Sequence, residues 1–372
     1  MVGTVLITGG AGFIGSHVAD ELLAHGYRVR VIDALSPQIH AGVESWPEYL
    51  ADAVETLEGD VRDPDAMRRA LHGVAGVVHL AAMVGVGQSM YQVTDYVAVN
   101  DLGTAVLLQN LIERPVQRLV VASSMSIYGE GLYRDPDGGR VQDASRSVEQ
   151  LKRGRWEALD GAGRPLEPLP TPECKRPTLA SVYALTKYVQ ERMCLLVGEA
   201  YRVPTVALRF FNVFGARQAL SNPYTGVLAI FASRLLNGNP PLIFEDGEQK
   251  RDFVDVRDVA RACRLALESE RAPGHAINVG SGRSYTVQEI ALRLARLLGC
   301  PEIRPEITGR FRAGDIRHCF ADLSLAGELL GYRCEIDLDR GLTTLADWLS
   351  SQIAVDRVDQ ATRELAARGL VA

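Results

Sequence analysis

The feature that most constrains this chain is a run of glycines between an apolar strand-like segment and an amphipathic helix. Val5 to Ile7 read as a buried strand, and Gly9, Gly10, Gly12 and Gly15 follow. Ile14, Val18, Leu22 and Leu23 then fall on one helical face. Such a turn aims bare backbone N–H groups and the positive end of a helix dipole at one point, which suits a pyrophosphate. One glycine makes the tight turn, one lets the phosphates approach, and one lets helix and strand pack closely. The next strand, Arg28 to Ile32, ends in Asp33, an acid placed to hold an adenosine ribose 2′-hydroxyl. No arginine stands at 34–36 to take a 2′-phosphate, so the pattern favours NAD over NADP.

The alternation of strand and helix continues. A strand is expected over Asp52 to Leu57, leading to Gly59-Asp60-Val61, and Asp63 caps a helix that has Pro64 at its first position and Gly73 beyond its end. Gly76 to Leu80 is the next strand, running into Ala81-Ala82, whose lack of bulk lets a cofactor lie against the backbone. A helix from about Tyr96 to Glu113 precedes the strand Leu119 to Ala122, which ends in Ser123-Ser124-Met125-Ser126-Ile127-Tyr128-Gly129. Ser181 caps a helix to about Tyr201, and Thr205 to Phe210 is a strand. Further helices are expected over 226–237 and 257–267, and from the capping box Thr286-x-x-Glu289 to Leu298, with Ala276 to Val279 as one more strand of the main sheet.

These elements predict an α/β fold: a modified Rossmann, doubly wound parallel sheet over residues 1–211. A smaller C-terminal α/β substrate part covers 212–352, from which 256–280 returns to the sheet, and 353–372 form a helical tail with a packing role. Residues 130–178 break the pattern, with seven prolines and glycines between 154 and 172. They are expected to be a structureless loop: a lid, a binding loop or partner surface, or a solvated insertion.

The net charge of −6 argues against nucleic acid or an anionic membrane as the main partner. The six cysteines include no Cys-x-x-Cys pair and no His at ligand spacing, so no metal is expected, and they read as reduced packing residues in a cytoplasmic protein. The apolar N-terminus has no basic leader, and its glycines belong to the nucleotide turn. The longest apolar stretch, Val74 to Gly87, is interrupted by Gly76, His79, Gly85 and Gly87; it reads as a strand and turn rather than a membrane span.

Chemistry enters with Tyr183-Ala-Leu-Thr-Lys187, a phenol and an ammonium four residues apart on one helix face. A free tyrosine titrates near about 10. A neighbouring cation, joined by the positive nicotinamide ring, should favour the phenolate and make Tyr183 a general base. Ser124 would hydrogen-bond the same substrate hydroxyl, and Lys187 would also reach the nicotinamide ribose. The bland alternatives are a surface helix pair and, for Ser124, a helix cap.

Taken together, Thr8-Gly-Gly-x-Gly-Phe-Ile-Gly15, Gly59-Asp60-Val61, His79-Leu80-Ala81-Ala82, Ser123 to Gly129, Tyr183-x-x-x-Lys187 and Arg209 to Gly215 resemble the extended short-chain dehydrogenase/reductase family. Gln249-x-Arg251-Asp-Phe-Val and Arg312-x-Gly-Asp315 extend the resemblance to its nucleotide-sugar-modifying members. The resemblance implies catalysis by Ser124, Tyr183 and Lys187. It implies NAD contacts from Gly9, Gly12, Phe13, Ile14, Gly15, Asp33, Asp60, Val61, Leu80, Ala81, Ala82, Asn100 and Ser123, together with Tyr183 and Lys187. A nucleoside-diphosphate sugar would be held by Ser124, Ser126, Asn212, Val227, Phe244, Arg251 and Arg312, with Phe244 stacking on the base and the two arginines clamping the diphosphate. It also implies a homodimer through the helices around 96–113 and 182–200.

Within the family, the 4,6-dehydratases carry an Asp-Glu pair where this chain has Met125 and Ser126, and the uronate decarboxylases need a Glu at the position of Ser126. Without those carboxylates the site can oxidise and reduce carbon 4 but lacks an acid–base pair for elimination. A 4-epimerase and an NAD(P)H-dependent 4-ketoreductase remain, beside a non-catalytic NAD-binding sensor. Val84 stands where the galactose epimerases have a lysine. Met83 to Met90, the insertion and the segment from Phe211 look more like the branch acting on dTDP-rhamnose, so the expected substrate is a dTDP- or UDP-hexose, with a 6-deoxyhexose such as dTDP-L-rhamnose first.

Overall fold

The structure, a computed structural model, describes residues 3–40, 45–219, 226–312, 315–350, 352, 356 and 358–371. Its centre is a seven-stranded parallel sheet. Across it run Ala276–Val279, Thr205–Phe210, Arg118–Ser124, Val74–His79, Thr4–Thr8, Arg28–Asp33 and Glu55–Glu58. A parallel sheet is covered on both faces, which is why its strands read as continuous apolar runs. Successive side chains alternate between two cores. Val5 and Ile7 join Val18, Leu22 and Val31 on one side, and Leu6 joins Ile32, Val77, Leu107 and Val121 on the other.

Thr4–Thr8 lies between Arg28–Asp33 and Val74–His79, so the strand order reverses there. That reversal opens a crevice at the carboxyl ends of the strands. The expected third strand is later and shorter than read, Glu55–Glu58, and the fourth starts earlier, Val74–His79. The expected helix from Tyr96 is broken in type. An α-turn at Val93–Tyr96 passes into a π-helical turn, Val97–Leu102, before the α-helix Gly103–Glu113.

Caps behave as their side chains require. Asp63, Ser181 and Thr286 accept from the backbone N–H groups of Asp65, Ala184 and Glu289. The Thr286 box forms on that side, while the Glu289 carboxylate accepts from Arg293.

The expectation of a structureless 130–178 is overturned. Leu132–Arg134, Arg140–Val141 and Glu167–Leu169 form an antiparallel sheet, and Val148–Lys152 a short helix capped by Ser147. Tyr133, Ala144, Ala158 and Leu166 make a small core of their own. The composition misled because these few apolar residues are far apart in sequence and the remaining order is ionic. Buried Arg146 donates to Glu130, to Glu245 and to the backbone of Trp156 and Asp315. Arg317 is bound by Glu157, Glu245 and Asp246. The insertion is thus tied to the C-terminal segments by charge.

In those segments Val227–Leu236, Val287–Leu297 and Leu338–Leu349 share a third core that includes Phe231, Leu294 and Leu345. Helix Val256–Glu268 belongs to the main core instead and packs beside Phe13–Ala24. Ala276–Val279 pairs with Thr205–Phe210 at the sheet edge. Among the described residues, no helix is long and apolar enough to cross a membrane.

Candidate active site

A cleft of about 1390 Å³ lies at the crevice and runs from the glycine turn to Phe244 and Arg312. At its floor the glycines take different parts. Gly9 has φ +69°, the left-handed turn. A Cβ on Gly15 would stand 2.3 Å from the Gly9 carbonyl oxygen and 2.7 Å from Gly10 Cα, so that residue is the helix–strand contact. Gly12 meets only the Gly9 oxygen, at 3.4 Å, and N-caps the helix beginning at Phe13; its open side is where phosphates can approach. Asp33 accepts from the backbone N–H groups of Ala11 and Leu35, which fixes the acid at the strand end beside the turn. These residues fit a dinucleotide.

Phe13, Ile14, Asp60, Val61, Leu80, Ala81 and Ala82 line the same cleft. The Asp60 carboxyl is held below the usual range, chiefly by the Arg62 guanidinium that donates to both its oxygens. Asn100 stands behind the wall. Fully buried in the π-helical turn, it accepts from the Met83 N–H and donates to the Met83 carbonyl and the Thr186 hydroxyl, so it shapes the Met83 backbone. Ser123 gives its hydroxyl to Glu191, itself paired with Arg209, and meets the cleft otherwise than through that hydroxyl.

Ser124, Tyr183 and Lys187 come together in the cleft from a strand end and a helix. Ser124 is both candidate and cap: it accepts from the Ser126 N–H and is hydrogen-bonded to Tyr183. Electrostatics here correct the reading from spacing. Burial pushes the Tyr183 phenol up, and the Ser124 hydrogen bond opposes that only in part. Lys187 donates to Gln190 Oε1 at 2.7 Å, and burial lowers it to about 8, which still leaves it mostly charged at neutral pH. The protein alone therefore keeps the phenol protonated.

Behind Lys187 runs a buried polar chain that the sequence reading missed. Gln190 donates to the Thr104 hydroxyl, which donates to the Asn100 carbonyl. That leaves Thr104 accepting from His79 Nε2, and His79 Nδ1 accepting from the Thr8 hydroxyl at 2.7 Å. Burial pushes His79 down to about 3, so the ring is neutral. The signal was available: Gln190 follows Lys187 by three residues on one helix face.

On the substrate side, Ser126, Asn212, Val227, Phe244, Arg251 and Arg312 all line the cleft. Buried Asn212 Oδ1 and Arg312 Nε have no hydrogen-bond partner among the described residues, as groups awaiting a polar ligand would not. Arg312 lies over one face of Phe244, 4.3 Å from the ring centre. Arg251 is more committed than its spacing suggested. It donates to the carbonyls of Lys250, Ile316 and Arg317, tying the 315–317 backbone in place.

Residues 5–148 and 161–280 match the NAD dependent epimerase/dehydratase family. The chain belongs to that family. It is an enzyme of the epimerase type, and NAD is its cofactor. The dTDP-L-rhamnose 4-epimerase of Burkholderia thailandensis is 35% identical over 359 residues, covering 94% of this chain and 95% of the relative. UDP-glucose 4-epimerase of Bos taurus is 32% identical over 374 residues, covering 94% and 97%. Among solved structures, UDP-glucose 4-epimerase of Thermotoga maritima with UDP-glucose superposes with TM-score 0.75 at 31% identity, covering 93% of this chain and 98% of that one.

Proposed function

We propose that this enzyme is a 4-epimerase of a nucleoside-diphosphate 6-deoxyhexose, with dTDP-L-rhamnose the first candidate. One observation carries it: the cleft that holds the dinucleotide-fitting glycine turn also holds Ser124, Tyr183 and Lys187, with Met125 and Ser126 where elimination would need carboxylates. The similarity to the Burkholderia enzyme and the apolar rim of Met83, Val84, Val86 and Met90 support a deoxysugar.

NAD, held at the glycine turn and Asp33, would supply the hydride acceptor and donor for carbon 4 and the positive charge that acidifies Tyr183. Tyr183 accepts the proton of the carbon 4 hydroxyl as the carbonyl forms, and gives it back when the alcohol re-forms. Ser124, already bonded to that phenol, holds the sugar oxygen between them. Lys187, aligned by Gln190, keeps a positive charge near the phenolate. Arg312 and Asn212 grip the diphosphate and sugar ends while the keto sugar turns over inside the cleft. The enzyme ends each cycle with its starting proton and cofactor.

The test is incubation of the purified protein with dTDP-L-rhamnose and with a UDP-hexose panel, no cofactor added, scored by NMR for 4-epimers. A strict need for stoichiometric NAD(P)H would refute it. The exposed Val97, Leu102, Leu185 and Leu196 support self-association through the helices around 96–113 and 182–200, which sedimentation would read as a dimer.

A further inference from the structure

The C-terminal helix, Val358–Ala367, lies on the far side of the same cleft. Val358, Ala361, Thr362, Leu365 and, beyond the helix, Leu370 are part of its wall. Ala361 and Leu365 are 6% and 5% exposed, whereas Arg363, Ala366, Ala367 and Arg368 face outward. The apolar side of the helix is therefore turned into the site.

Two sets of contacts hold it there. At the 83–92 rim Leu365 packs on Gly87, where an added Cβ would come within 3.2 Å of its methyl group. Nearby, Tyr91 donates to Glu364 at 3.4 Å, and the Arg368 guanidinium stacks 4.2 Å above the Tyr91 ring. On the substrate side Val371 makes an antiparallel β-bridge with Arg312, the residue whose guanidinium covers Phe244 and whose Nε is buried without a partner among the described residues. Asp356, just before the helix, accepts from Asn239 at 3.0 Å.

From this geometry we propose that the C-terminal helix is the cover of the nucleotide-sugar site, and that Leu365 is a substrate-positioning residue. The tail joins the 83–92 rim to the backbone of Arg312. A diphosphate that engages Arg312 fixes the backbone on which Val371 docks. A docked tail in turn holds Arg312 ready and keeps water from the sugar end. The two events share one residue, so whatever help one gives the other is returned to the same degree. This adds a functional task to the packing role expected for the tail. It rests on the nucleotide-sugar reading above but not on the 4-epimerase chemistry.

The test uses the full-length protein with dTDP or UDP as the probe. Trypsin digestion is followed by mass spectrometry of the peptides ending at Arg363 and Arg368, with and without the probe, and calorimetry gives Kd. Expected are slower cleavage at both sites when dTDP or UDP is present, and a Kd weakened about tenfold in Leu365→Asp. Arg368→Ala, which alters only an exposed side chain, should weaken Kd in the same direction and carries the test if Leu365→Asp fails to fold. With substrate, both variants should raise KM more than they lower kcat. Unchanged cleavage, or an unchanged Kd in the folded variants, overturns the proposal. Binding is read without turnover, so tail-linked binding in a chain with no 4-epimerase activity defeats only the catalytic reading. A wild-type chain that binds neither nucleotide defeats both.

Discussion

Arg317 offers a sharp measure of how far charge, rather than apolar packing, orders the insertion. Its side chain is 1% exposed and makes five hydrogen bonds to three carboxylates: two to Glu157, two to Asp246 and one to Glu245. Burial would raise the Glu157 carboxyl, but hydrogen bonds from His318 and Arg317 outweigh it and bring it to about 2. Burial keeps His318 below the usual imidazole range, so Arg317 is the lasting cation of the pair. In Arg317→Met, Glu245, 1% exposed, would be left with Arg146 alone. Removing one partner of a buried ion pair costs about 3–5 kcal/mol. The side chains of Glu157 and Asp246 are 39% and 35% exposed and can rehydrate, which places the loss at the lower end, about 3 kcal/mol. Urea melts followed by circular dichroism would read this, with Glu157→Gln expected to lose less. KM for the nucleotide sugar should rise as well, because Arg146, bound to the same Glu245, also holds the Asp315 carbonyl. An Arg317→Met protein within about 1 kcal/mol of wild type would show that the ionic strap is decorative.

Four further outcomes follow from the site. Tyr183→Phe should keep its NAD, measured by absorbance after denaturation, yet lose about 10²–10⁴ in turnover. Gly12→Ala should fold and release NAD, since its nearest neighbour is 3.4 Å away, whereas Gly15→Ala, with a Cβ 2.3 Å from the Gly9 oxygen, should fail to accumulate as folded protein; expression and NAD content separate them. His79 is lowered to about 3 in the fold from an ordinary 6.5, so its contribution is complete above 6.5 and is lost as pH falls towards 3. Below pH 6.5 the unfolding free energy should therefore drop by about 1.4 kcal/mol per pH unit from this ring, and a His79→Asn protein should have a flatter profile. Gln190→Leu should lower kcat with little change in KM, because it frees Lys187 without touching the substrate.

Much of this was legible in the sequence because it depends on local pattern. The glycine turn, the acid at Asp33 and the apolar strands each follow from neighbours in the chain, and the tyrosine–lysine pair from helical spacing. What was hidden depends on groups distant in sequence. Glu130, Arg146, Glu157, Glu245 and Arg317 form one cluster, but no spacing announces it. The phenol's protonation likewise depends on burial, which position in a helix does not reveal. Arg251 was legible as a residue of the site but not in its task, since its carbonyl partners at 316 and 317 are brought in by the fold.

Ser123 and Ser124 are adjacent and chemically alike, yet the pleat of their strand sends one hydroxyl to Glu191 and the other to Tyr183. Their order acts as an address. Losing the first hydroxyl should loosen the scaffold and spare the reaction, while losing the second should do the reverse. A one-residue slip of this strand would leave one of the two destinations without a hydroxyl, because Ala122 and Met125 flank the pair.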